Sequence, residues 1–100
     1  MNTLGYIKAT RETVYSNVND TEIQVNIFIH NTHSGAVDCN VSFSSENGLS
    51  KSAGMPIYNK SMTAGESKEF LNMTVNSKQL IMALAGIADK ISIKVDEIST

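Results

Sequence analysis

Between Thr21 and Ser45 the chain keeps a period of two. Ile23, Val25, Ile27 and Ile29 occupy every second position, with Gln24, Asn26 and Phe28 between them. After Asn31-Thr-His-Ser-Gly35 the beat returns in Cys39, Val41 and Phe43, alternating with Asn40, Ser42 and Ser44. Such a period sends successive side chains to opposite faces of a sheet, so both halves read as half-buried strands. The polar run between them is turn chemistry, because Gly and Asn accept positive φ while Ser and Thr bond nearby backbone groups. The expectation is an antiparallel hairpin or near-hairpin with one apolar face, whose Val25, Ile27, Val41 and Phe43 enter the core.

The rest of the chain follows the same grammar. Thr3–Thr10 and Thr13-Val-Tyr15 read as a first strand, bent near Arg11-Glu12, and Ser16-Asn-Val-Asn-Asp20 as a turn. Asn47-Gly48 is a tight-turn dipeptide. Met55-Pro-Ile-Tyr58 is a short strand that Pro56 confines to a sheet edge or a strand start. Thr63-Ala-Gly-Glu-Ser67 is a turn, and Lys68–Val75 a strand. Ile91, Ile93 and Val95 mark a last strand that buries Ile93 and Val95, with Ile98 out of phase as a late bulge or a residue facing a neighbour. Residues 77–90 admit two readings. Ser77 as an N-cap with Leu80, Leu84, Ile87 and Ile91 at helical spacing favours a helix, whereas Leu80–Ala85 also fits a strand apolar on both faces. Short strands punctuated by Gly, Asn and Ser predict an all-β fold: one antiparallel β-sandwich over residues 1–100, about seven or eight strands, at most one short helix.

Composition narrows the function. The net charge is −2, and the eight Lys and Arg residues are scattered from Lys8 to Lys94, which argues against nucleic acid, since phosphate binding needs clustered cations. The opening MNTLGYIKAT lacks the basic start and apolar core of a signal peptide, and no apolar run reaches the roughly 20 residues of a membrane span. Synthesis in a cytoplasm and no membrane partner are expected. His30, His33 and Cys39, with Asp38 beside them, are candidates for a metal site or a nucleophilic pair. A structural zinc site needs a fuller ligand set, and Cys39 is in phase with the apolar Val41 and Phe43, so capping histidines and a buried thiol are expected instead. Asp96/Glu97 and Glu66/Glu69 lie near lysines and read as solvated surface. No catalytic, cofactor or metal residues are assigned.

What stands out is apolar surplus. Phe28 lies on the Glu22/Gln24/Asn26 face, Ile81, Ala83 and Ala85 oppose Leu80, Met82 and Leu84, and Ile98 breaks phase. Exposed apolar patches on a small domain mark a partner, with self-association the simplest case. These five residues are the candidate interface.

The opening Leu4-Gly-Tyr-Ile-Lys8, the later Val14-Tyr15, the alternation from Glu22 and the Asn31-Thr turn resemble small virion proteins of tailed bacteriophages. Met55-Pro-Ile, Thr63-Ala-Gly-Glu-Ser67 and the stretch Asp89-Lys-Ile-Ser-Ile-Lys-Val95 to Glu97-Ile98 extend the resemblance over nearly the whole chain. It implies a β-sandwich structural protein of the virion, without enzymatic activity, decorating a head, collar or tail and contacting itself and other virion proteins. It also implies that Gln79–Ala85 and Lys90–Ile98 form a terminal hairpin, which turns the contested segment into a strand. The alternative function is a carbohydrate-binding module of a phage fibre, for which Tyr6, Tyr15 and Tyr58 are a sparse aromatic supply.

Overall fold

A computed structural model describes residues 2–45 and 56–98; the expected Asn47-Gly48 turn and Met55 lie outside them. The described chain forms β1 (Asn2–Tyr6), β2 (Glu12–Ser16), β3 (Ile23–Asn31), β4 (Val37–Ser45), β5 (Pro56–Met62), β6 (Ser67–Val75), β7 (Gln79–Ala85) and β8 (Ile91–Glu97). They make two four-stranded antiparallel sheets, ordered β1-β8-β3-β6 and β2-β7-β4-β5. The all-β sandwich expected from the alternation is the observed fold.

The topology is that of one long hairpin rolled up. β4 pairs with β5, β3 with β6, β2 with β7 and β1 with β8; rolling then sets β8 beside β3 and β7 beside β4. This is the eight-stranded jelly roll. Inward side chains from both sheets make one core: Val25, Ile27 and Ile29 on β3, Ile91, Ile93 and Val95 on β8, Val37, Cys39, Val41 and Phe43 on β4, and Ile81, Ala83 and Ala85 on β7. Every core residue expected from the alternation is among them.

Three sequence expectations are corrected by this winding. β3 and β4 are not a hairpin, because residues 32–36 carry the chain from one sheet to the other. The Thr3–Tyr15 strand is two strands in different sheets, joined across residues 7–11. Gln79–Ala85 is a strand and not a helix, but it pairs with β2 and β4, so it makes no hairpin with β8. Alternation reports a sheet environment and is silent on the partner, which only non-local pairing decides.

Each change of sheet turns backbone carbonyls away from the ladders, and a buried carbonyl without a donor costs about 1–3 kcal/mol. Two asparagines meet that demand in the same way. Asn17, 1% exposed, spreads its Nδ2–H groups over the carbonyls of Thr21, Val75 and Asn76 at 3.0, 3.1 and 3.0 Å, while its Oδ1 accepts the Asn19 N–H. Asn31, 0% exposed, does so with Gly35, Met62 and Thr63 at 3.0 Å each, its Oδ1 accepting the His33 N–H. Each therefore clamps its own crossover to the antiparallel one beside it, β2–β3 to β6–β7 and β3–β4 to β5–β6.

The opposing turns match too. In Thr63–Glu66 and Asn76–Gln79 the last residue's side-chain oxygen accepts the first residue's N–H, and the third residue, Gly65 or Lys78, has φ of 75° or 62°. The Thr63 amide holds the Glu66 carboxyl below the usual carboxylate range. At the remaining corner, β1–β2 against β7–β8, backbone bonds from Ala85 to Lys8 and from Asp89 to Ile7 make the clamp, with a surface Lys8–Asp89 ion pair.

Asn31→Ala should lower stability by about 3 kcal/mol, since it strips donors from three carbonyls, one of them deeply buried. Asn31→Asp keeps the Oδ1 acceptor but faces a carboxylate to carbonyl oxygens, and should be at least as damaging. Exposed Asn59→Ala should stay within about 0.5 kcal/mol of wild type. Urea melts of the three variants would check the order.

Candidate functional site

The outer face of the β1-β8-β3-β6 sheet is the candidate site. The registers set side chains in rows across four strands: Leu4, Lys94, Phe28 and Glu69 in one, Tyr6, Ser92, His30 and Ser67 in the next. A groove of about 490 Å³ is lined by the members of these rows other than Tyr6. Leu4 is 76% and Tyr6 52% exposed, and Phe28 is half-buried. His30 Nδ1 bonds Ser67 Oγ, and Lys94 leans along its own strand to Asp96 at 3.3 Å. The face thus interleaves apolar Leu4, Tyr6 and Phe28 with hydroxyls and with charges of both signs.

β6 bends where it borders this face. Val25 opposes Met73 and Ile27 opposes Phe70, so β6 carries an extra residue there. Asn72 takes φ of 56° and donates its N–H to Asn26 Oδ1 at 3.0 Å. Leu71 beside it is 52% exposed.

Of the five expected interface residues, Phe28 lies on this face. Ile98, just past β8, is half-buried and donates its N–H to the Gln24 carbonyl. Ile81, Ala83 and Ala85 are corrected: they are 0%, 1% and 2% exposed and point into the core. β7 is central in its sheet and buried on both faces, with Leu80 and Met82 at 8% and 2% exposure on the other side, so its apolar run carries no phase from which the inner face could be read. Leu4 and Tyr6 are the residues that sequence reasoning missed. Their signal was present, as apolar side chains two apart in a strand without charge, but it was absorbed into a longer expected strand.

The His/Cys group does not converge. His30 faces out from β3, the His33 N–H donates to Asn31 Oδ1, and Cys39 points into the core from β4. Burial pushes the Cys39 thiol up to about 12. Among the described residues no three His, Cys, Asp or Glu side chains are placed to share a metal ion, and no helix is long and apolar enough to cross a membrane.

No protein-family model and no curated protein sequence matches the chain. Solved structures are similar in fold. A subunit of the Bacillus endospore appendages that form disulfide-linked pili aligns at 16% identity with a TM-score of 0.53, over 99% of this chain and 85% of that one. PirA aligns at 9% identity and 0.58, over 97% and 93%. A chain of the T13 viral particle of IBDV aligns at 10% and 0.47, over 94% and 28%. At these identities the likeness is one of β-sandwich architecture.

Two outcomes follow from the placements. Ile81→Glu should abolish the cooperative melt, because a carboxylate at 0% exposure has no partner and costs several kcal/mol, on the order of the whole stability. Cys39 should resist an aromatic disulfide reagent at about pH 8 in the native protein and react fully in denaturant. Fast native labelling would contradict its burial.

Proposed function

We propose that the chain is a non-enzymatic structural subunit of a tailed-bacteriophage particle, packing on itself and on neighbouring virion proteins through the outer face of the β1-β8-β3-β6 sheet. The observation that carries this is that Leu4, Tyr6 and Phe28 all stand on one outer sheet face, Leu4 and Phe28 flanking Lys94, of a domain whose core is already complete without them. A monomer gains nothing from such side chains in water, whereas a contact burying them gains about 25 cal/mol per Å². The resemblance to phage virion proteins supports this kind of particle. The fold shared with a pilus subunit supports a part in a repeating assembly. Disulfide linkage is not the means here, since Cys39 is the single cysteine and is buried. Many modest contacts repeated on a lattice hold such a subunit by avidity.

A second reading is a glycan-binding face, favoured by one feature: the groove borders Phe28 with His30, Ser92 and Glu69, groups that bond sugar hydroxyls. Particles lacking the subunit separate the two readings. The purified domain should co-sediment with them, and Phe28→Glu should stay folded and lose at least tenfold in binding, about 1.4 kcal/mol. Competition by soluble oligosaccharide would favour the glycan reading, and a wild-type domain that ignores the particles would end the virion one.

A further inference from the structure

The four sheet edges are β1, β6, β2 and β5. An open edge is a row of unpaired N–H and C=O groups, and proteins that stay apart blunt it with bulges, charges or proline. Three of the four edges here are blunted, and each bulge lies on the edge strand itself. β2 has an extra residue at Val14 and carries Glu12. β5 has one at Ile57, begins with Pro56 and carries Lys60. β6 has one between Phe70 and Met73 and carries Lys68 and Glu69. β1 has none of these. Asn2-Thr-Leu-Gly-Tyr6 is without charge or proline and pairs with β8 in unbroken register from Asn2↔Asp96 to Tyr6↔Ser92.

The open side of β1 also has a definite pattern. The Ile7 N–H donates to the Ile91 carbonyl at 2.8 Å, and antiparallel bonding alternates by residue. Thr3 and Gly5 therefore bond into β8, while Asn2, Leu4 and Tyr6 turn their backbone groups outward.

We propose that two copies of this chain join edge to edge through β1, antiparallel about a two-fold axis at Leu4, fusing two four-stranded sheets into one. In this register Leu4 lies opposite the second copy's Leu4, and Asn2 opposite its Tyr6. All three pairs consist of residues with outward N–H and C=O, so each exchanges two hydrogen bonds, about six in all. A slip of one residue would set inward-bonded residues against outward ones and lose the ladder. The exposed Leu4 and Tyr6 of each copy then meet across the axis on the outer face, where directly opposite residues stand about 5.5 Å apart. An isologous edge contact of this kind closes at two copies. It deepens the self-association within the proposed function and does not depend on the phage particle.

The full chain should sediment at twice its 10.9 kDa mass. Leu4→Lys puts a charge at the axis and Leu4→Pro removes one outward N–H while sparing the bonds to β8; both should be folded monomers. Leu4→Cys should cross-link to itself under oxidised glutathione, because Cα atoms about 5.5 Å apart suit a disulfide, whereas Cys at exposed Val18 should not. A wild-type monomer at about 100 µM, well above the micromolar range of specific pairs, would overturn the proposal. So would folded Leu4→Lys and Leu4→Pro dimers, or a folded Leu4→Cys protein that cross-links no faster than Val18→Cys. A wild-type dimer that ignores particles lacking the subunit would instead count against the virion reading alone.

Discussion

Two buried amides hold the roll shut. A hairpin that stays flat satisfies its backbone by ladder bonds alone, but one that rolls must break both ladders wherever the two chains cross between sheets. Of the carbonyls freed at those crossings, Val75 and Met62 are buried and the others lie nearer the surface. Asn17 and Asn31 each answer the carbonyls of two crossings with one side chain, and each accepts an N–H two residues on to fix its own loop. An amide suits this role because it carries two donors and an acceptor without charge. The apolar core supplies the larger energy, but it is nearly indifferent to which way the chain turns. The amides distinguish the rolled form from other ways of packing the same oily strands.

That division explains what was legible in the residues. Ile23–Ile29 and Ile91–Val95 border water on one side and core on the other, while in Cys39–Phe43 the second face is largely buried but carries polar Asn40 and Ser42; in all three the alternation gives both strand identity and the inward face. β7 has no watery side, so Leu80–Ala85 shows neither period, and Leu80, Leu84, Ile87 and Ile91 mimic a helical stripe by coincidence. The same loss of phase placed Ile81, Ala83 and Ala85 at the surface when they belong to the core. Partner choice was illegible for a different reason. The link between β3 and β4 looks like a hairpin turn, and its role as a crossover depends on Met62 and Thr63, about thirty residues away. A signal existed in the repetition: Asn17 and Asn31 each open a four-residue step to Thr21 and Gly35, and Thr63-x-x-Glu66 is echoed by Asn76-x-x-Gln79. Read together, the echoes mark two equivalent corners.

The candidate site was legible in part. Phe28 interrupts a polar face, so it could be seen without a partner strand. Leu4 and Tyr6 could not be assigned until β1 was separated from β2, because in one long strand they are merely two more apolar residues. Only the winding sets β1 at the rim of the sheet that carries Phe28, with Lys94 between Leu4 and Phe28.

Among the described residues, two corners of the jelly roll are locked by side-chain bonds. The crossovers at 17–21 and 31–35 are tied down by their own asparagines, and the turns at 63–66 and 76–79 by Glu66 and Gln79. The sheet faces and edges between these corners are rigid and repeat identically from copy to copy. A rigid face suits static contact, since little ordering entropy is lost on binding. On this chain the least protected edge and the outer face share Leu4 and Tyr6, so a contact at the edge would extend the face across two copies. Blunting at β2, β5 and β6 has the complementary effect: it leaves one direction open for sheet growth, and a single open edge used symmetrically ends in a pair rather than a fibre.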